Sequence, residues 1–588
     1  MTNLCFFELL PVVPTRGQNT DKVGKLRLSK IAGMVFLFCV ATAIAAPAQT
    51  FTTLLSFDGT DGSGPTAALV QGTDGNLYGT TSAGGVSSRC TNGCGTVLKI
   101  TPQGTLTTLH SFDFTDGYRP EALVQAANGN FYGTTNTGGA HTYGTVFKIT
   151  PQGTLTTLYS FCAQTPPNCT DGADPQAALV QATDGNLYGT TSDGGIGVGT
   201  FFKVTPSGTL TTLHIFGTGN GEGFNPMGAL VQATDGNFYG TTNTGGAFAN
   251  DQGTVFKITP SGALTTLHTF DYVADFANGA YPVAGLVQGT DGNFYGTTSD
   301  GGNGNQEVGG AGTIFKITPS GSFTILHRFS GTDGGQPLAG LIQATDGNFY
   351  GTTKTGGTKE FGTVFKITPG GTLTTLYSFG SQSGCTDGYF PLAGLIQDTN
   401  GDLYGTTAGG TTTGTCQQSN GTVFRLSVGL RPFVSFMRSS GKVGQTVQIL
   451  GQGLTGATKV SFNGANAAFA VKSETYLTAT VPAGATTGFV TVATPGSTLK
   501  SNQKFRVTPQ ISSFSPTTGP ADTTVVITGD SLTGTTEVVF ACGKKATFTV
   551  DSDTQITATV PAGAMTGAIN VVTPGGHVGS ASSFTVIP

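Results

Sequence analysis

Asp74-Gly75-Asn76-Leu77-Tyr78-Gly79-Thr80-Thr81 decides the architecture, because the chain returns to this phrase at regular intervals. Its tyrosine recurs as Tyr132, Tyr188, Tyr239, Tyr295, Tyr350 and Tyr404, which gives seven copies spaced 51 to 56 residues apart. A period of this length marks a repeat architecture in which each unit buries its apolar face against its neighbours. Two further phrases keep step. Gly-Thr-Val-Phe-Lys-Ile, with small variations, begins at Gly95, Gly144, Gly199, Gly253, Gly312, Gly362 and Gly421. Thr-Leu-Thr-Thr-Leu-x-Ser-Phe ends at Phe57, Phe112, Phe161, Phe216, Phe270, Phe329 and Phe379. Each unit thus reads as four short strands: A (Ala-Leu-Val-Gln), B (Leu-Tyr-Gly-Thr-Thr), C (Thr-Val-Phe-Lys-Ile) and D (Leu-Thr-Thr-Leu-x-Ser-Phe). They are β-branched and aromatic, and punctuated by glycine and proline. Asp-Gly between A and B and Thr-Pro-x-Gly between C and D are tight-turn chemistry. No segment holds helical periodicity over a useful length.

The phase of the units separates a ring from an open stack. The seventh stops at Gly421 to Leu426 without a D strand, while an orphan D strand, Phe51 to Phe57, precedes the first. In a closed propeller the N-terminal strand completes the last blade and leaves no open edge there. An open solenoid would carry polar caps instead. The reading is all-β: a seven-bladed β-propeller over residues 49–430, closed by strand 51–57 against Thr422 to Leu426.

Composition agrees with a turn-rich β protein. Of 588 residues 92 are glycine, none is tryptophan and only 10% are charged. A net charge of −5 supplies no basic face, which argues against nucleic acid and anionic membranes as partners. Lys22, Lys25, Arg27 and Lys30 precede the apolar run Ile31 to Ala46 and the small-x-small site Ala46-Pro47-Ala48. Residues 1–48 are therefore read as an export leader, with cleavage after Ala48 and no membrane span in the mature chain. The chain ends at Ser583-Phe584-Thr585-Val586-Ile587-Pro588 without a hydrophobic tail or basic stop, so the expected location is secreted or at the cell surface without a C-terminal anchor.

The repeated phrases resemble the GloVer-type tandem repeat (choice-of-anchor) of exported bacterial proteins, a likeness spanning about 380 residues that implies location more than activity. Near Pro432 a second rhythm of 78 to 79 residues begins, matching Thr446 to Leu454 with Thr524 to Leu532 and Thr478 to Gly484 with Thr557 to Gly563. Both copies resemble IPT/TIG domains, and Ile511-Ser512-Ser513-Phe514-Ser515-Pro516 is a typical opening. The resemblance implies two immunoglobulin-like β-sandwiches, 431–508 and 509–588, serving as spacer or docking modules.

In an up-and-down blade the A–B and C–D turns share one face of the ring and the B–C and D–A loops share the other. Length varies only on the second, as in Ser82 to Cys94, Asn303 to Ala311, Cys162 to Asp174 and Asp271 to Tyr281. Length-variable loops on a rigid ring are how scaffolds present binding surfaces. The cysteines gather there too, predicting disulfides Cys90–Cys94, Cys162–Cys169 and Cys385–Cys416. Cys542 is left over, either buried or a free thiol. The D–A loops repeat an acid or amide followed by Gly-x-x-Pro, with Asp61, Asp116, Asp171, Glu222, Asn278, Asp333 and Asp387 in the first position. That pattern is first of all turn geometry. As a site, these residues, with Tyr118 and Arg119, are the candidate ligand contacts around one mouth.

No catalytic constellation, metal site or cofactor motif is found. His110, His214, His268 and His327 share one slot of strand D, occupied elsewhere by Leu55, Tyr159 and Tyr377, and read as solvent-side strand residues of separate blades. The lysines at 99, 148, 203, 257, 316 and 366, with Arg425, share another slot and read as consensus strand residues. The repeat phrase is also similar to that of streptogramin lyases, seven-bladed propellers with a metal-assisted elimination site. This chain lacks their tryptophan and shows no counterpart of their histidine and glutamate centre. The expectation is a non-catalytic exported protein binding a glycan or protein, the alternatives being a structural or adhesive surface protein and a propeller lyase or glycan-cleaving enzyme.

Overall fold

A computed structural model describes residues 49–219, 221–247, 252–270, 277–302, 310–410 and 420–588. The leader of residues 1–48 lies outside the described residues, as do parts of two variable loops, 271–276 and 303–309. Among the described residues, each of the seven units forms an antiparallel sheet in the order A-B-C-D. In the first these strands are Val70–Gln71, Leu77–Thr81, Thr96–Ile100 and Leu106–Ser111. The seventh sheet borrows its D strand from the N-terminal end, where Thr50–Ser56 pairs antiparallel with Thr422–Ser427. Phe51 stacks on Tyr377 with ring centroids 3.8 Å apart. Phe57 is buried with Leu69 and Leu98 of the first blade and with Tyr404 and Val423 of the seventh.

A hydrogen-bonded chain runs round the inner strands. The glutamine of each Ala-Leu-Val-Gln phrase accepts from a backbone N–H in the preceding A–B turn: Gln125 from Thr73 (3.0 Å), Gln181 from Ala127, Gln232 from Thr183 and Gln288 from Thr234. Gln343 and Gln397 continue the series, and Gln71 accepts from Thr399 N at 3.3 Å, joining the last blade to the first. Inside each blade two buried threonines meet hydroxyl to hydroxyl, as Thr81 and Thr96 do at 2.8 Å, which accounts for Thr-Thr and Gly-Thr ending and opening adjacent strands. The phrase Asp-Gly-Asn-Leu-Tyr is self-satisfying: Asp74 accepts from Asn76, Tyr78 Oη and Lys99 Nζ. The lysine slot is therefore occupied by partners of hairpin aspartates in at least Lys99, Lys257 and Lys316.

The last ring strand ends at Ser427, and two β-sandwiches follow. The first packs the sheet holding Thr446–Leu450 and Tyr476–Thr480 on the sheet holding Lys459–Phe462 and Val490–Ala493, over a core including Ile449, Phe462, Leu477 and Phe505. The second repeats the arrangement around Ile527, Phe540, Ile556 and Phe584. The first sandwich is seated on the ring's A–B turns. Thr475 Oγ1 donates to Thr73 O, Gln448 Nε2 to Ala127 O and Arg506 Nη1 to Thr234 O, while Phe433 N donates to Thr399 O. These contacts reach four different blades, so the module covers this face of the ring. Among the described residues no helix is long and apolar enough to cross a membrane.

Candidate functional site

The B–C and D–A loops meet on the face opposite the sandwich. Ser63 and Ala83 exchange backbone hydrogen bonds between a D–A loop and the following B–C loop, as do Ala173 and Asp193, and Ala280 and Asp300. The loops are anchored by the acid-Gly-x-x-Pro pattern. Gly62 lies on the Thr81–Thr96 pair, where a Cβ would come within 2.6 Å of Thr81, at a φ of +144° that side chains disfavour. The residue before each proline is left-handed in all seven loops: Gly64, Arg119, Asp174, Asn225, Tyr281, Gln336 and Phe390.

Two of the predicted disulfides are present, Cys90–Cys94 and Cys162–Cys169. Cys385 is disulfide-bonded; Cys416 lies outside the described residues. Cys542 is a free, exposed thiol.

The acidic candidates do not gather around a mouth. Asp116 pairs with His110 Nε2 at 2.7 Å, Glu222 with His214 at 3.3 Å and Asp333 with His327 at 2.8 Å. Asp171 and Asp387, both fully buried, accept from Tyr159 Oη and Tyr377 Oη at 2.7 and 2.8 Å. Asp116, Asp171, Asp333 and Asp387 also accept backbone N–H groups of their own loops, from Asp113, Ala163, Ser330 and Ser381. Asp61, whose blade carries Leu55 in the slot, accepts from Asp58 N. Five of the acids thus fold their loops back onto the outermost strand of their own blade. Asn278 is half-buried in the equivalent place. Among the described residues no three His, Cys, Asp or Glu side chains are grouped as metal ligands.

The histidine slot is corrected with them. His110, His214 and His327 are largely covered, with side chains 23%, 15% and 21% exposed, and His268 stacks on Phe323 at 3.8 Å. The cause is a β-bulge in strand D: Thr108 pairs with Leu98 and His110 with Val97, leaving Leu109 extra. One inserted residue reverses the alternation of sides, so parity along the sequence misplaces everything after it.

The face itself is built from other residues. Val86, Tyr143 and Ile196, on the B–C loops of the first three blades, are the large exposed apolar side chains of the ring among the described residues. Beside them Arg119 is exposed and lies 5.2 Å from the ring of half-buried Tyr118. Nearer the axis, the innermost strands crowd together. A Cβ on Gly285 would lie 2.4 Å from Ala229 O, and one on Gly340 would lie 3.1 Å from Gly285 O. Two residues earlier in the segments that lead into these strands stand Thr66, Gln176, Met227, Val283, Leu338 and Leu392. All six are half-buried and belong to none of the hydrophobic clusters. The second blade is one residue short here and places Glu121 where other blades have Ala177, Ala284 or Ala339. Thr80 Oγ1 donates to Glu121 O as Thr134 Oγ1 does to Ala177 O. Desolvation pushes the Glu121 carboxyl up to about 8, against the opposing pull of Arg119. Sequence reading missed this acid because it searched the loops; the one-residue deletion was the available signal.

Fold and site together define a repeat-built propeller carrying immunoglobulin-like modules, with one covered face and one loop-bearing face. Residues 32–170, 166–308 and 304–466 match the Gloeobacter/Verrucomicrobia repeat, and residues 432–507 and 509–586 each match the IPT/TIG domain. The chain belongs to the Gloeobacter/Verrucomicrobia repeat family and carries two IPT/TIG domains. No curated protein matches it. Among solved structures it is similar to the surface glycan-binding protein PbSGBP-B from Prevotella bryantii, at 21% identity and a TM-score of 0.20, covering 25% of this chain and 38% of that one. A fungal alcohol oxidase of the AA5 family in complex with copper aligns at 13% identity and a TM-score of 0.41, over 91% and 99% of the two chains. The extracellular domain of a putative hybrid two-component system from B. thetaiotaomicron aligns at 12% identity and 0.41, over 88% and 59%. These likenesses are too distant to bear on function.

Proposed function

We propose that the chain is an exported, non-catalytic binding protein whose propeller engages a glycan or protein ligand through the B–C and D–A loops. One observation carries the reading: the ring is asymmetric. One face is covered by the first IPT/TIG module, whereas the length-variable loops, the cysteines of the ring and the exposed Val86, Tyr143 and Ile196 all lie on the other. His110, His214, His327, Tyr159 and Tyr377 are each paired with the acid of their own loop, which favours binding over catalysis. The first module then acts as a fixed base for the ring, and the second as the arm.

The test is a glycan array and a pull-down with the full chain, alongside a variant in which residues 83–93 and 193–197 are replaced by short Gly-Ser turns. Loss of the bound species in the variant supports the reading. Capture unchanged by the replacement overturns it.

A further inference from the structure

A second concave site lies on the covered face, where the first IPT/TIG module meets the A–B hairpins of the third and fourth blades. Its volume is about 240 Å³. Gln181, Thr183 and Gln232 form the ring wall, and Arg438, Ser439 and Arg506 form the module wall. Two guanidinium groups therefore line one small cavity in a chain of net charge −5.

Neither makes a salt bridge among the described residues. Arg506 donates from Nη1 to Thr234 O at 3.0 Å, which uses one of the five N–H groups of its fork. Burial pulls its pKa down, against the opposing charge of Asp235, which follows Thr234 in sequence. Arg438 is half-buried and makes no hydrogen bond or ion pair among the described residues. The acids of the two hairpins are committed elsewhere: Asp184 accepts from Asn186 and Tyr188, and Asp235 from Asn237, Tyr239 and Lys257. A partly desolvated cation without a partner is costly, and a guanidinium fork fits the paired oxygens of carboxylate or phosphate.

We propose that this crevice is an oxyanion site, in which Arg438 and the free edge of Arg506 grip a carboxylate or phosphate group. The cavity is smaller than those that enclose a drug-sized ligand, so it takes a small anion or the charged end of a longer acidic one. The bound group would touch both ring and module, so occupancy also stiffens their junction. The site is on the face opposite the variable loops and stands or falls separately from the function proposed above.

Calorimetry and thermal unfolding of the full chain with sodium phosphate and with sodium galacturonate, at fixed ionic strength and with chloride as control, test it. Saturable binding and a raised midpoint with either oxyanion are expected, with affinity reduced roughly tenfold or more in Arg438→Met, the loss of one charge-assisted pair. Arg431→Met, an exposed site outside the crevice, serves as the folding control and leaves binding intact. Response to phosphate alone names free phosphate as the ligand source, and response to galacturonate alone names an acidic sugar. No saturable response to either anion, or equal affinity in Arg438→Met, overturns the proposal.

Discussion

Closure of the ring by its first strand makes an energetic demand that one pair of substitutions can measure. Phe57 and Phe216 occupy the same repeat slot, with 3% and 0% of their surface exposed. Phe216 packs between the third and fourth blades, with Tyr188 and Phe201 on one side and Phe238 and Phe256 on the other. Phe57 packs the same way between the seventh and first, but its strand arrives from some 370 residues away in sequence, a separation that follows from the pairing of Ser56 with Thr422. A phenylalanine buries about 150–250 Å² and burial contributes roughly 25 cal/mol per Å², so truncation to alanine costs about 4 kcal/mol at either site. Urea unfolding followed by far-UV circular dichroism and by tyrosine fluorescence, unobscured because the chain has no tryptophan, compares Phe57→Ala with Phe216→Ala. Closure requires the two losses to agree to within about 2 kcal/mol, the spread expected between core sites. A loss near 4 for Phe216→Ala with one below about 1 for Phe57→Ala would refute it, because only an unlatched strand tolerates such a hole.

Stability should also depend on pH through the buried acids. The carboxyl of Glu121 is held near 8 in the folded chain and that of Asp398 near 6, both chiefly by burial, so the folded state retains protons that the unfolded state releases above about 4. Stability therefore falls as pH rises from about 4 to 8 and then levels, and Glu121→Gln flattens the upper part of that slope in urea titrations at stepped pH; an unchanged slope would show that the carboxyl is solvated. Asp291 acts in the opposite sense: burial raises its pKa, but hydrogen bonds from Asn293, Lys316 and Tyr295 outweigh this and hold it at about 2, so its contribution is lost as pH falls from about 4 to 2, and Asp291→Asn shows a shallower acid limb. Replacing both Cys162 and Cys169 by serine opens a loop of sequence separation 7 and costs roughly 2 kcal/mol, with proteolytic nicking between them appearing before global unfolding.

The ring was legible in the sequence because its repeats state the same strand four ways and seven times, and because the missing D strand at one end matches the surplus strand at the other. The glutamine clasp was also written there, in the last residue of every Ala-Leu-Val-Gln. It went unread because a polar residue ending a short inner strand looks like a turn residue until its partner in the neighbouring blade is known. The seat of the first sandwich was illegible for a different reason. Thr475, Gln448 and Arg506 bind backbone carbonyls, and a carbonyl leaves no mark on sequence.

The acids of the D–A loops are the instructive case, since their positions were read correctly and their role was not. In five blades the loop acid meets a polar side chain in the strand D slot: histidine faces Asp116, Glu222 and Asp333, and tyrosine faces Asp171 and Asp387. In the other two, Asp61 stands opposite Leu55 and accepts from Asp58 N, and the amide Asn278 stands in the blade of His268. A charged group free to serve a ligand has no reason to track a side chain on the neighbouring strand, whereas a carboxylate that caps a loop must keep its donor. A pair made again in five blades thus marks residues spent on the fold rather than left for binding. Val86, Tyr143 and Ile196 stand outside that pairing, and the acid at Glu121 belongs to a single blade, the others carrying alanine or glycine there. Geometry that must be made seven times is repeated, and recognition, which needs one ligand held in one orientation, is where the repeats differ.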